Sequence, residues 1–353
     1  MQLSLDMQLM MDRIKRNSPL MNIHALIHWE ALRPKLHGLY KREQSGAGGQ
    51  EPFDAILMLK AILLGQWHSL SDAKLEEALR VRLDFMLFCG LDLHASTPDE
   101  TTLCRFRNRL VKADKLSTLL SAINADLMQK GIMVKEAQGA ILDATIITAA
   151  ARPRNSTIID VEVNTRTGTS GEVTHITTSQ SADPEARWVK KGKRAYFGYR
   201  SYCVVDSTDG FFRGIHSAPA NEAETHHLAT ALEKLDYLPT RLHADKGFSS
   251  EVNRQVCKDK QIKSGIMHKA QRNKPLTKRQ GLINKLISRV RYLVEQGFGT
   301  GKRLFGMGRA SYFGVIKVNA QITMKAIGIN LLKAANKVVL LQQRETLNTQ
   351  VAS

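Results

Sequence analysis

The feature that most limits the folds open to this chain is the run Gly139-Ala140-Ile141-Leu142-Asp143-Ala144-Thr145-Ile146-Ile147. It is short, apolar and β-branched, with one carboxylate, Asp143, at its centre. Such a run reads as a strand buried in a sheet. A carboxylate left unpaired there is costly, so Asp143 needs a cation, a hydrogen-bond network or a metal. For a lone acid of this kind, an Asp satisfied by its neighbours is the ordinary outcome.

Asp143 is not alone. A brief strand, Thr240-Arg241-Leu242-His243-Ala244, ends at Asp245, and Gly247 lets the chain turn sharply after the sheet edge. An acid at the C-terminal end of a strand points into the crevice where α/β sheets bind ligands. The plainer role is an N-cap for the following helix. The third acid stands out by isolation: between Asp259 and Glu345 the chain is rich in Lys and Arg and holds one carboxylate, Glu295. At 3.6 residues per turn, Asn284, Ser288, Arg291, Glu295 and Lys302 fall close to one helix face, with Ile287, Val290, Val294 and Phe298 as apolar neighbours. An Arg291–Glu295 pair accounts for Glu295 at about 0.3–0.5 kcal/mol. A metal ion set between Glu295 and a phosphate accounts for it differently.

The balance of charge favours the second account. Lys and Arg number 51 against 33 Asp and Glu, a formal charge of +18, which suits a polyanionic partner or marks a merely basic protein. Three carboxylates on separate elements of such a chain have a common use. Hard oxygen ligands hold Mg2+, and two such ions roughly 3.5–4 Å apart serve phosphodiester chemistry. Zinc is not indicated: Cys89, Cys104, Cys203 and Cys257 have no CxxC spacing, and His226 and His227, being adjacent, point apart on a helix. No GxxxxGK[ST] loop supports a nucleotide cofactor. An aromatic share of 6% argues against a chain built mainly to stack single strands, and 43% apolar residues exclude a mainly disordered one. No apolar run reaches the roughly 18 residues of a membrane helix. The charged N-terminus lacks the apolar core of a signal peptide. The expected location is the cytoplasm, with the nucleoid.

A chain of 353 residues exceeds the roughly 250–300 at which single cores stop growing, so at least two domains are expected. Residues 1–50 read as an N-terminal extension ending in the hinge Ser45-Gly46-Ala47-Gly48-Gly49-Gln50. Residues 51–125 read as a helical domain. Helices are expected over Pro52–Leu64 and Ala73–Arg82, the latter capped from Leu70-Ser71-Asp72, with a short apolar piece over Asp84–Gly90. Thr97 is the expected N-cap of the next helix, with Pro98 in the first position and Glu100 closing a capping box. That helix carries Thr101, Thr102, Arg105, Arg107 and Arg109, and resembles the reading helix of a helix-turn-helix. An ordinary surface helix with solvated arginines has the same pattern.

Residues 137–310 change character. A Thr-, Ser- and Gly-rich insertion spans about 150–192. A hairpin follows, Tyr199–Asp206 and Phe211–His216 around Ser207-Thr208-Asp209-Gly210. Then come a helix over Glu222–Leu235, the strand to Asp245, a helix over Ser249–Asp259 and a strand over Ile262–Met267. Residues 277–305 have helical spacing that Gly297, Gly299 and Gly301 weaken beyond Phe298. This order matches an α/β fold, a ribonuclease-H-like mixed sheet with flanking helices, preceded by an all-helical N-terminal DNA-binding domain. Residues 311–353 read as a basic helical segment.

With those residues in hand, the chain resembles bacterial insertion-sequence transposases of the DDE type, in the IS-five family, from about Glu51 to Asn336. The motifs are Leu142-Asp143-Ala144-Thr145-Ile146-Ile147, Ala244-Asp245-Lys246-Gly247-Phe248, and Arg291 and Lys302 spaced around Glu295. Gly192-Lys193, Phe197-Gly198-Tyr199-Arg200, Trp67, Leu70-Ser71-Asp72 and Arg105-Phe106-Arg107 add to the likeness. Ser288 stands where that family often has Tyr, and Tyr202 where His often follows the Phe-Gly strand. The resemblance implies that Asp143, Asp245 and Glu295 hold two Mg2+ or Mn2+ ions. It implies that Lys193, Arg291 and Lys302 contact DNA phosphates, and that the helix around Arg105 helps recognise terminal inverted repeats. It also implies double-stranded DNA as partner, both element ends and target, and a homodimer or larger assembly on that DNA. Alternative readings are a nuclease or resolvase of the same fold without strand transfer, or a non-catalytic DNA-binding descendant.

Overall fold

The computed structural model describes residues 5–40, 51–134, 139–163 and 170–352. The hinge expected over 45–50 lies outside them. Helices α1 (Leu5–Asn17) and α2 (Pro19–Leu26) open the chain, followed by a 3-10 turn (Trp29–Leu32) and α3 (Arg33–Leu36). Then come α4 (Ala55–Trp67), α5 (Asp72–Val81), α6 (Leu83–Cys89), α7 (Glu100–Lys112) and α8 (Lys115–Gln129). The α/β part runs β1 (Gly139–Thr148), β2 (Arg154–Val163), β3 (Ser170–Gln180), β4 (Arg187–Lys191), β5 (Arg194–Asp206) and β6 (Phe212–Pro219). It continues with α9 (Leu228–Glu233), β7 (Arg241–Ala244), α10 (Glu251–Asp259), β8 (Lys263–Ile266), α11 (Lys278–Leu304) and α12 (Val315–Ala352).

Local chemistry sets the helix starts. Asp54 accepts from the Ile56 and Leu57 N–H groups and opens α4, so that helix begins after Pro52 and Phe53. Ser71 caps α5 as expected, through the Lys74 N–H. The cap of α7 is Asp99, which accepts from the Thr102 N–H at 2.6 Å. Thr97 instead accepts a bond from Arg80, because a carboxylate one step from the first turn also meets the positive end of the helix. The expected helix over Glu222–Leu235 is a 3-10 turn (Glu224–His226) followed by the short α9.

The main sheet has the order β4–β5–β1–β7–β8, with β6 also on β5. Strand β5 is antiparallel to β1, while β1, β7 and β8 are parallel. The segment expected as an insertion contains the hairpin β2–β3, whose strands pair with each other outside the main sheet. Strand β4 belongs to the main sheet, so the insertion ends before Arg187. Gly198 is required where β5 crosses β1: its φ is +157°, and a Cβ there would meet the Ile147 carbonyl oxygen at 2.1 Å.

One face of the sheet packs on α9 and α10 through Ala140, Leu142, Tyr202, Leu242 and Phe248. The other presents Ile141, Ile147, Cys203 and Val205 to α11, α12 and the N-terminal helices, in one apolar cluster from Leu20 to Ala335. Helix α4 is apolar all round and buried accordingly. Helix α12 is central rather than peripheral, buried through Ala335 against α4, α8 and β6. Helix α11 does not weaken at its glycines. Gly297 lies against the Phe212 ring and Gly301 against Met307, where a Cβ would crowd both, so the glycines let the helix approach its neighbours closely.

Candidate catalytic site

The parallel register Leu142↔Ala244 sets Asp143 of β1 beside Asp245, the residue that follows the end of β7. Strand alternation turns both toward the face that α11 covers. From α11, Arg291 reaches down between them. Its Nη2 donates to Asp143 Oδ2 at 2.7 Å, and its Nη1 lies 3.5 Å from Asp245 Oδ1. Glu295, one turn along, is 4.0 Å from the same guanidinium and its side chain is 63% exposed. The helical Arg291–Glu295 pair expected from spacing is thus the loosest of the three contacts. Burial works against the Arg291 charge, and Asp143, Asp245 and Glu295 outweigh it, so its pKa is raised. Asp245 also fills its plainer role, accepting from the Lys246 N–H at 2.6 Å.

Other expected site residues lie elsewhere. Lys302, two turns beyond Glu295 on α11, has its pKa lowered by burial and by Lys191, against the pull of Asp143. Lys193 is exposed in the β4–β5 turn. On α7, Thr101 is exposed and Thr102 half-buried, while Arg105 and Arg109 line a cleft of about 330 Å³ with Tyr40 and Phe53. Arg107 departs from expectation. It points inward, 6% exposed, with both terminal nitrogens on the Asp72 carboxylate at 2.5 and 2.8 Å and its guanidinium over the Tyr312 ring. Helical phase explains this: Leu103, Phe106 and Leu110 set the buried face of α7, and Arg107 stands beside Phe106.

Two family models match the chain: "Transposase domain (DUF772)" over residues 8–109 and "Transposase DDE domain" over residues 135–331. The second spans more than half of the chain and contains all three acids. The chain belongs to the DDE transposases, enzymes of DNA cleavage and transfer. It is 44% identical over 234 residues to the transposase for insertion sequence element IS1106 of Neisseria meningitidis serogroup B, a match covering 66% of this chain and 77% of that protein. The structure of piggyBac transposase in a synaptic complex with hairpin DNA aligns with 94% of this chain and 78% of that one, at 9% identity and a TM-score of 0.43. No helix among the described residues of this transposase is long and apolar enough to cross a membrane.

DDE transposases use divalent metal, and the acids of this one suit such an ion in chemistry. They are three hard oxygen donors that converge on one positive group. The Arg291 guanidinium is the cation between them, and its Nε is buried without a partner. Among the described residues no three acidic, His or Cys side chains are already grouped as a cage. The acids are gathered by Arg291 rather than around a shared point.

A fourth acid of the transposase escaped the sequence reading. Glu224 pairs with Arg200 of β5 at 3.3 Å and packs on the turn that follows Asp245: a Cβ on Gly247 would lie 1.7 Å from its Oε2. Burial pushes the Glu224 pKa up, Arg200 opposes this, and the charges of Asp143 and Asp245 add to it. Glu224 thus braces the Asp245 turn. The sequence marked Gly247 as a sharp turn after the sheet edge, which says nothing of what packs on that turn.

Proposed function

We propose that this transposase, of the IS-five group, binds the terminal inverted repeats of its insertion sequence, cuts DNA at the element's ends and joins the freed ends to target DNA. The observation that carries the reading is the convergence of Asp143, Asp245 and Glu295, from two parallel strands and one helix, on a single cationic group. The strand order and directions around Asp143 fit a ribonuclease-H-like core. Asp143, Asp245 and Glu295 would hold two Mg2+ or Mn2+ ions, which when bound supply Lewis-acid polarisation of phosphate oxygens.

The chain's own residues do the rest. The acids are fixed by the parallel strands and by α11, so the scissile phosphodiester is held rather than searched for. Water attacks phosphorus and the P–O3′ bond breaks, leaving a 3′-OH and a 5′-phosphate. The 3′-OH then attacks a target phosphodiester and displaces its O3′. Arg291 turns from the carboxylates to a non-bridging phosphate oxygen, and Lys302 and Lys193 hold neighbouring phosphates. Thr101, Thr102, Arg105 and Arg109, at the outer side of α7, contact the element end, phosphates positioning and bases specifying. Arg107 is left out, being committed to Asp72. Two ends have to meet, so the working form is a homodimer or larger on DNA.

The test incubates the full chain with linear DNA carrying its element ends, in Mg2+ or EDTA, and maps breaks and joined products. Metal-dependent nicks at the boundary followed by joining are expected. Asp245→Asn is expected to abolish cleavage and keep end binding. Full cleavage by that variant overturns the site, and nicks without joining leave a nuclease.

A further inference from the structure

The chain leaves the main sheet at its edge, through β8. Met267, the first residue out, still donates to the Ala244 carbonyl at 3.0 Å, one residue before Asp245. His268 comes next, past the last β7–β8 pair, Ala244↔Ile266. One side chain of α11 takes both of its backbone groups. Asn284 Oδ1 accepts from the His268 N–H at 2.8 Å, and Asn284 Nδ2 donates to the His268 carbonyl at 3.0 Å. A carboxamide offers a donor and an acceptor as a peptide unit does. Asn284 thus stands in for the neighbouring strand that part-buried backbone groups would otherwise need.

This clasp sits where α11 is otherwise held least. Between Lys278 and Val290 only Ile287 is buried, while Leu282, Lys285, Leu286 and Arg289 are exposed. The connection from β8 does not steer the helix either, because residues 271–279 are all exposed. Arg291 and Glu295 follow Asn284 on the same face of α11, about two and three turns further on. Glu295 has no close partner of its own, lying 4.0 Å from Arg291, so the line of the helix sets its place over the strands. Arg291 touches the same exit segment, its Nη1 3.8 Å from Met267 Sδ. Contacts therefore run unbroken from Asn284 through His268 and Met267 to Ala244 and the acid that follows it. Two hydrogen bonds from one side chain tie the helix that carries Glu295 to the strand end that carries Asp245.

We propose that Asn284 is a positioning residue for DNA cleavage: by clasping the His268 backbone it fixes α11 along the carboxyl ends of β7 and β8, and so holds Arg291 and Glu295 at Asp143 and Asp245. This rests on the DNA-cutting reading above. Loss of the clasp slows the chemical step on bound DNA and leaves DNA binding in place.

The experiment compares the full chain with Asn284→Ala, which removes both bonds, and with Asn284→Asp, which has the same size and keeps the acceptor for the His268 N–H but loses the donor. Binding to a labelled element-end duplex is measured in EDTA, and single-turnover cleavage of the bound duplex is then started with Mg2+. Each variant should bind within about two-fold of the parent and cleave roughly 10–100-fold more slowly, the scale of a small misplacement at a reacting centre. Hydrogen exchange of the DNA-free protein, which needs neither metal nor cleavage, should quicken at His268 and over residues 278–295 and stay unchanged over 139–147. A parental cleavage rate in a variant with loosened α11 overturns the proposal, as does unchanged exchange. Binding that falls by the same factor as cleavage makes Asn284 a DNA contact instead. Exchange that also quickens through 139–147, with early melting in both variants, makes it a general brace of the fold. Full cleavage by Asp245→Asn would remove the catalytic reading and leave the exchange result standing, so the two failures are told apart.

Discussion

Two arginines two positions apart on α7 have opposite fates, and the difference is measurable. Arg107 forms a buried bidentate pair with Asp72. Removing one partner of such a pair leaves an uncompensated charge and typically costs 3–5 kcal/mol. Arg107→Ala is therefore expected to lower the melting temperature sharply, while exposed Arg105→Ala stays within about 0.5 kcal/mol of the parent and weakens end binding with a shallower salt dependence. Equal melting temperatures for the two variants would remove the structural role given to Arg107. Gly247 makes a second residue-scale case. A methyl group there meets the carboxylate end of Glu224, which can swing aside at the expense of its pair with Arg200, so Gly247→Ala should cost about 0.2–1 kcal/mol. Glu224→Ala in that background should then add little further loss in thermal melts, since contacting sites do not add.

At the scale of elements, β6 brings one pH-sensitive group into the sheet. His216 stacks on Tyr202 and lies tilted against His227, its Nε2 3.1 Å from His227 Nδ1. Burial, followed by the neighbouring His227 and Lys234, holds its pKa down to about 4 against an ordinary 6.5, with Glu222 opposing. The imidazole stays neutral in the fold while the unfolded chain takes up a proton near 6.5. The unfolded state thus binds more protons between these values. The contribution is complete above pH 6.5 and is lost as pH falls toward 4. In melts across that window, His216→Phe should show a flatter decline than the parent. An unchanged slope would place the titration elsewhere.

Over the whole molecule, the N-terminal helices and the α/β sheet share one core, and α12 runs through it. At its middle, Asn330 donates to Asn124 Oδ1 at 2.9 Å and to the Phe212 carbonyl at 2.8 Å, and accepts from the Phe212 N–H. This ties α8, β6 and α12 together with every group buried. Asn330→Leu strands the Phe212 N–H and Asn124 Oδ1, each worth about 1–3 kcal/mol, while Asn124 Nδ2 keeps the Phe212 carbonyl. The expected result is one earlier transition, seen together by far-ultraviolet circular dichroism and by the emission of Trp29 and Trp67. Separate transitions would mean that the helices and the sheet melt independently.

The sequence by itself determined what depends on near neighbours. The run around Asp143 specified a buried strand through its β-branched residues, and Ser207-Thr208-Asp209-Gly210 specified the β5–β6 hairpin through its turn residues. Strand context singled out Asp143 and Asp245, which the structure sets within β1 and just past the end of β7, and the charge pattern singled out Glu295 on α11. Tertiary structure alone decided which charges meet. It sent Arg291 to Asp143 rather than to Glu295, turned Arg107 inward to Asp72, and laid Glu224 against Gly247. It also placed α12 at the centre of the core, although its residues spread apolar character around the helix without marking a face. The physical reason is range. Periodicity and capping act over one or two turns, whereas ion pairs and close packing are fixed by approach in space between segments as far apart as Gln66 and Tyr312, which no local pattern encodes.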